Sequence, residues 1–253
     1  MVEPEIMRVI ILAAGMGERL YPLTKNSPKS LLEVGGGKTV LESQLDHIAL
    51  AGIMDVTIVT GYKTEQIEAK VLGYEDMSIS ICYNPFFATS NNLISAWMAI
   101  RQTNENFVLV NGDDVFKPHV LSGLIESRND ITMVIDRKEN YDEDDMKVVT
   151  GENRVFRVNK KIPSEDANGE SIGMIFFRNK GHMIISETME KMVRNKENMN
   201  IFYLAALQEI MDRGYPVNYF ECSEDDWAEI DFHSDLSFIR QHIEKYAADI
   251  VNV

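Results

Sequence analysis

Apolar residues in this chain fall into short β-branched runs separated by longer stretches of helical period. Residues 9–12, 56–60, 78–83 and 107–110 predict strands. Val9 to Leu12 is apolar without interruption, the pattern of a strand buried on both faces. Between the first two strands, Thr39 and Glu42 form a capping-box pair. They open a helix with Val40, Leu41, Leu45, Ile48 and Leu50 at its apolar positions and Gly52 at its end. Further helices are expected over residues 64–72, from about Leu93, and over 118–127. Strand–helix–strand order requires a right-handed crossover and parallel pairing.

Beyond residue 130 the pattern changes. Strands are expected at 131–136, at 146–149 and 154–159 as a hairpin around Gly151-Glu152-Asn153, and at 174–177. Helices over 181–194 and 201–213 follow, the second stopped by Gly214, then a strand over 217–222. A last helix is expected over 235–249, with Ser234 as N-cap and Leu236, Ile239, Ile243 and Tyr246 as its stripe. The expectation is an α/β fold with a mostly parallel central sheet flanked by helices and a smaller mixed β region.

Composition narrows the function classes. The 253 residues fit one large domain, and 45% hydrophobic content is ordinary for a globular core. No apolar run reaches the length of a membrane span, and Met1 to Glu5 lacks a basic-then-apolar leader pattern. Cys82 and Cys222 are isolated, without metal-ligand spacing, which suits a reducing cytoplasmic compartment. A net charge of −15 argues against nucleic acid as a partner. It also means that a nucleotide needs local basic residues and a divalent cation.

The chemistry is densest after the first strand, where Leu12-Ala13-Ala14-Gly15-Met16-Gly17 precedes Arg19 and, ten positions later, Lys29. Small residues let a ligand approach main-chain N–H groups, and such groups at a strand-to-helix turn seat phosphate. The P-loop pattern is absent, and the dinucleotide pattern fails because its third glycine position is Leu20. Gly61 and Tyr62 stand at the carboxyl end of the second strand, where open α/β sheets bind ligands. Ser90, Asn91 and Asn92 are helix-cap candidates, but three in a row exceed the need of one cap, so a cap or a ligand role stands for each. Asp113 and Asp114 end a buried strand after Gly112 and suit a hard divalent cation, or Asp114 caps the next helix. Glu229 and Asp231 alternate about Ile230, so on a strand both carboxylates share one face, a costly pairing without a compensating cation or substrate.

The composite of Leu12 to Leu20, Pro22-Leu23-Thr24 and Pro28-Lys29-Ser30-Leu31 closely resembles the signature of nucleoside-triphosphate transferases acting on sugar phosphates and related phosphate esters. The stretch from Asn84 through Asn91-Asn92-Leu93-Ile94-Ser95 resembles the branch that transfers cytidylyl groups to phosphocholine, aminoethylphosphonate, inositol phosphate or glutamine phosphate. The resemblance implies one Rossmann-like, GT-A-type domain over 1–253, with a nucleotide half to about 130 and an acceptor half after it. It implies Arg19 and Lys29 as catalytic residues, with Leu12, Ala13, Ala14, Gly15, Gly17, Gly61, Tyr62, Asn84, Ser90 and Asn91 on the nucleotide. Asn92, Asp114, Lys161, Glu170 and Glu229 would bind substrate, and Asp113 and Asp231 would hold Mg²⁺. The expected partners are CTP or another nucleoside triphosphate and a phosphorylated small-molecule acceptor, with neither nucleic acid nor membrane, and a homodimer is left open. A glucose-1-phosphate uridylyl- or thymidylyltransferase and an inactive nucleotide sensor are the alternatives. The run Asp142-Glu143-Asp144-Asp145-Met146-Lys147 stands where phosphocholine enzymes of this type carry an aromatic residue. It suits an amide, amine or polyol acceptor better than a quaternary ammonium.

Overall fold

The computed structural model describes residues 7–246. Strand β1 (Met7–Ala13) leads into a loop with single 3₁₀ turns at Glu18–Leu20 and Lys29–Leu31. A ribbon of β2 (Glu33–Gly35) and β3 (Lys38–Thr39) then delivers α1 (Val40–Leu50). The chain continues through β4 (Asp55–Thr60), α2 (Thr64–Val71), β5 (Ser78–Tyr83), α3 (Asn92–Ile100) and β6 (Asn106–Asn111). Next come β7 (Asp114–Phe116), α4 (Pro118–Ile125), β8 (Ile131–Asp136), β9 (Lys147–Gly151), β10 (Arg154–Val158) and β11 (Gly169–Phe177). The last elements are α5 (Lys180–Met192), α6 (Leu204–Asp212), β12 (Val217–Glu221), β13 (Trp227–Glu229) and α7 (His233–Gln241).

One sheet runs β5-β4-β1-β6-β11-β8-β12-β10-β9. Its first four strands are parallel. β11 is antiparallel to β6 and β8, β12 runs parallel to β8, and the β9–β10 hairpin at the end of the order folds back so that β9 also pairs antiparallel with β11. The two-residue period sorts each central strand between two cores. Ile10, Leu109, Met133 and Ile175 pack with α3, α5 and α6, whereas Val9, Ile11, Val108 and Val134 pack with α1, α2 and α4. This double burial explains why the central strands read as continuous apolar runs.

Thr39 caps α1 as expected, its hydroxyl accepting from Glu42 N–H while Glu42 accepts from Thr39 N–H at 2.9 Å. The carboxyl-terminal part departs from expectation. Helix α7 begins at His233, so Ser234 lies inside it, and Asp235 accepts from Asp231 and Phe232 N–H at 2.9 and 2.7 Å. It ends at Gln241, and a 3₁₀ turn at Ile243–Lys245 redirects the chain so that Tyr246 is buried. Burial of that ring competes with straight continuation of the helix, and residues 247–249 of the expected span lie outside the described residues. The helix at Pro118 takes Lys117 as N-cap, which leaves Asp114 in strand β7 rather than at a cap.

β7 pairs antiparallel with β13, Glu229 opposite Asp114, and Ile230 N–H donates to the Asp113 carbonyl at 3.1 Å. Ile230 is fully buried beside Leu20, Val115, Leu236 and Ile239. This small core fastens the loop after β1, the end of β6 and the start of α7 to one another.

Candidate active site

A cavity of about 770 Å³ opens at the carboxyl ends of β1 and β6. Leu12 to Gly15 form part of its lining, as do Arg19, Lys29, Ser90, Asn91 and Asn92. Gly112 carries the chain past β1 with its N–H on the Leu12 carbonyl at 2.9 Å, and a Cβ there would stand 2.6 Å from that oxygen. Only glycine fits so close an approach, and it sets Asp113 beside the loop.

Asp113, Glu229 and Asp231 converge, each offering a carboxylate oxygen within 4.8 Å of the others. The Lys29 ammonium donates to Asp113 Oδ2 and Asp231 Oδ1, both at 2.7 Å, and Arg19 Nη1 donates to Asp231 Oδ2 at 2.8 Å. Burial works against the charge on Lys29, but Asp113 and Asp231 outweigh it and hold its pKa above the ordinary value. Burial likewise opposes ionisation of Asp231, yet Lys29 and Arg19 hold its pKa below the carboxylate range. Glu229 is exposed to the cavity, whose walls strip part of its water. That desolvation, with the Asp113 and Asp231 charges, pushes its pKa up to about 8. Oxygen-only donors with a cation already bridging two of them fit a hard divalent ion such as Mg²⁺.

On the far side of the cavity, Glu170 on β11 is buried, and Lys138 Nζ bridges Glu170 Oε1 at 2.9 Å and Asp145 Oδ1 at 2.8 Å. Desolvation, with Asp145 adding to it, pushes Glu170 up to about 7. Trp227 Nε1 donates to Asp136 Oδ2 at 3.0 Å. Lys160 lies 5.3 Å from the Phe202 ring centre and 3.9 Å from Asp144.

Several residues expected at the site lie elsewhere. Lys161 is exposed and outside the cavity, and its neighbour Lys160 lines it instead. The turn after β10 explains the exchange: Asn159 Oδ1 accepts from Lys161 N–H and splays successive side chains apart. Gly61 is buried below the loop, where a Cβ would stand 2.4 Å from that of Phe87. Tyr62 N–H donates to the Ala14 carbonyl at 3.1 Å and its hydroxyl to the Lys25 carbonyl, so both residues brace the loop from behind. Asn84 is buried, donating to Ser95 Oγ at 3.0 Å and accepting from Phe86 N–H at 2.8 Å. Asp114 is buried outside the lining, with both carboxylate oxygens unpartnered, and burial followed by Asp113 and Glu229 raises its pKa well above the usual range.

Gly17 lines a smaller hollow beyond Arg19. Asn91 caps α3 by accepting from Asn92 N–H at 2.7 Å, and Asn92 Oδ1 accepts from Tyr203 N–H at 2.9 Å, so both have structural partners while lining the cavity. Lys147 is buried and donates to the Asp142 carbonyl, anchoring the acidic loop rather than facing an acceptor. Sequence reasoning missed Lys138 and Asp136, whereas Trp227, a candidate aromatic wall by sequence, does line the cavity. The end of β8 was the available signal, because strand ends border such cavities.

A family model described as Nucleotidyl transferase matches residues 8–245, and the chain belongs to that family. It is 24% identical to the CTP:phosphoglutamine cytidylyltransferase of Campylobacter jejuni across 91% of this chain and 98% of that one. It is 33% identical to the choline-phosphate cytidylyltransferase of Streptococcus pneumoniae over 44% of this chain, spanning 47% of the relative. It is 36% identical to the CMP-5'-(3-aminopropyl)phosphonate synthase of Streptomyces rubellomurinus over 47% of this chain, spanning 19% of the relative. Among solved structures, the CTP:phosphocholine cytidylyltransferase of Streptococcus pneumoniae superposes with a TM-score of 0.80 at 23% identity, over 94% of this chain and 99% of that one. The inositol-1-phosphate CTP transferase of T. maritima also gives 0.80, at 22% identity, over 96% and 97%. The α/β, Rossmann-like architecture is that of nucleotidyltransferases.

Proposed function

Starting from membership of this family, we propose that the enzyme transfers a cytidylyl group from CTP to a phosphorylated small molecule and releases pyrophosphate, serving the decoration of a surface polysaccharide or lipid. An acceptor phosphate oxygen attacks the α-phosphorus and forms the new P–O bond. The α–β bridging bond breaks, and its electron pair leaves with pyrophosphate. Because the nucleophile is already ionised, no residue needs to remove a proton. The chain's contribution is positioning and charge.

The N–H groups from Ala13 to Gly15 and the Arg19 guanidinium receive the β- and γ-phosphates. Lys29 spans the α-phosphate and the incoming phosphate. Asp113 and Asp231, with Glu229 beside them, hold the divalent ion, which when bound supplies positive charge against the developing negative charge at the α-phosphate. Residues up to about 130 serve the nucleotide and those after it the acceptor, whose phosphate meets Lys160 and whose body lies toward Glu170. The observation that carries this reading is the convergence of Arg19, Lys29, Asp113 and Asp231 in one cavity. The choice of CTP rests on the cytidylyltransferase relatives.

Pyrophosphate release measured with CTP, UTP, dTTP and GTP against a panel of phosphate esters tests the proposal. CTP should give the highest kcat/KM. Preference for UTP or dTTP with glucose 1-phosphate would refute the cytidylyl assignment, and nucleotide binding without turnover would make the protein a sensor.

A further inference from the structure

The acceptor side of the cavity combines acids and aromatic rings, the usual ingredients for holding a positively charged head group. Here the protein's own cations and donors already occupy several of each. Lys138 bridges Glu170 and Asp145 at 2.9 and 2.8 Å. Asp145 also accepts from Asp142 N–H at 2.7 Å, and Asp142 accepts from the N–H groups of Asp144 and Asp145. Asp136 takes Trp227 Nε1 at 3.0 Å and Arg137 N–H at 2.6 Å. The Phe202 ring faces Lys160 at 5.3 Å, and the Phe232 ring faces Arg19 at 5.4 Å. Glu224 stands exposed in the cavity lining.

Resting on the transferase reading above, we propose that Lys138 is a built-in ammonium that fills the place of a substrate cation. The enzyme therefore selects phosphate acceptors whose head group is uncharged and hydrogen-bonding, such as a polyol or an amide, over amines and quaternary ammoniums. A second cation brought to the Glu170–Asp145 pair would meet Lys138 as a like charge a few ångströms away in a partly desolvated pocket, where such repulsion is strong. A hydroxyl or amide instead finds donors and acceptors already oriented. The raised pKa of Glu170 acts in the same direction, because a partly protonated carboxyl offers less charge to a second cation.

Matched pairs that differ only in charge test the idea: phosphocholine against its carbon isostere 3,3-dimethylbutyl phosphate, and 2-aminoethyl phosphate against 2-hydroxyethyl phosphate. Each is assayed with all four nucleoside triphosphates, so the choice of base is read separately from that of head group. Equilibrium binding of each pair reads the head group even where a nucleotide fails to turn over. Wild type should favour the neutral member of each pair by roughly tenfold. Lys138→Met should shift that ratio at least tenfold toward the cationic member, and Lys138→Arg should keep the wild-type ratio. Wild-type preference for the cationic members, or an unchanged ratio in a folded Lys138→Met, overturns the proposal. If Lys138→Met does not fold, the wild-type pairs decide. A purely structural role for Lys138 would lower all rates together and leave the ratio fixed. Failure of CTP alone, with the neutral preference intact, would count against the cytidylyl reading and not against this one.

Discussion

Lys29 and the acids around it form a charge network that substrates must reorganise, because its ammonium and the proposed metal share the same carboxylates. Its charge is most useful where the α-phosphate is crowded with oxygens. Lys29→Ala should therefore lower kcat by two orders of magnitude or more, about the cost of losing one preorganised donor, with little change in KM for CTP. Steady-state kinetics check this, and a change confined to KM would reduce Lys29 to a binding group. Asp113→Ala should abolish turnover while moving the thermal midpoint by less than about 4 °C. Calorimetry beside the activity assay separates the two effects. Glu170 predicts a pH signature in stability rather than rate. Its pKa is raised from 4.5 to about 7 on folding, so the native state binds the extra proton between those values. Its contribution to stability is full below about pH 4.5 and lost as pH rises through 7. Denaturation of wild type and Glu170→Gln at pH 5 and pH 7.5 should show wild type losing ground to the variant as pH rises.

At the scale of elements, capping and core packing give the testable energies. Thr39→Ala removes the side-chain half of the α1 capping box and should cost about 1 kcal/mol in denaturant unfolding. The α/β order and the β1 loop were legible in the sequence because buried parallel strands leave uninterrupted apolar runs and the loop needs small residues. Asp113 and Asp231 stood out as acids after a buried strand and beside Glu229, their metal role resting on the family resemblance, and the fold brings their carboxylates together. Lys160 against Lys161 was not legible, since one turn residue decides which of two adjacent side chains points inward. Gly61 and Tyr62 looked like ligands because they lie at a strand end, and Asn84 through the family resemblance, yet Tyr62 and Asn84 bond to the chain itself and Gly61 packs against Phe87. Lys147, expected toward the acceptor, is buried beneath the acidic loop, and Lys138, for which no role was expected, faces the cavity; both border the same loop, and only the fold separates them. The Asp114–Phe116 ribbon was too short to carry a period.

Across the molecule, a net charge of −15 sets the electrostatic terms for a substrate that is itself a polyanion. Pyrophosphate release should therefore vanish with a chelator and return on addition of Mg²⁺, and activity that survives chelation would remove the metal from the proposal. The pairing of β7 with β13 has the widest consequence, because with the Ile230 core it brings Asp231 to Lys29, 202 positions away in the chain. Much of the parallel sheet can zip from neighbouring segments, but the carboxylate cluster waits for a contact of very high sequence separation. On dilution from denaturant, helical signal should return before catalytic competence, and the lag should lengthen in Ile230→Ala. A nascent chain lacking β13 would carry the phosphate loop with Asp113 but without its partner acid. Catalytic competence is thus a readout of completed long-range closure, and an assay of turnover counts only molecules whose two distant segments have met.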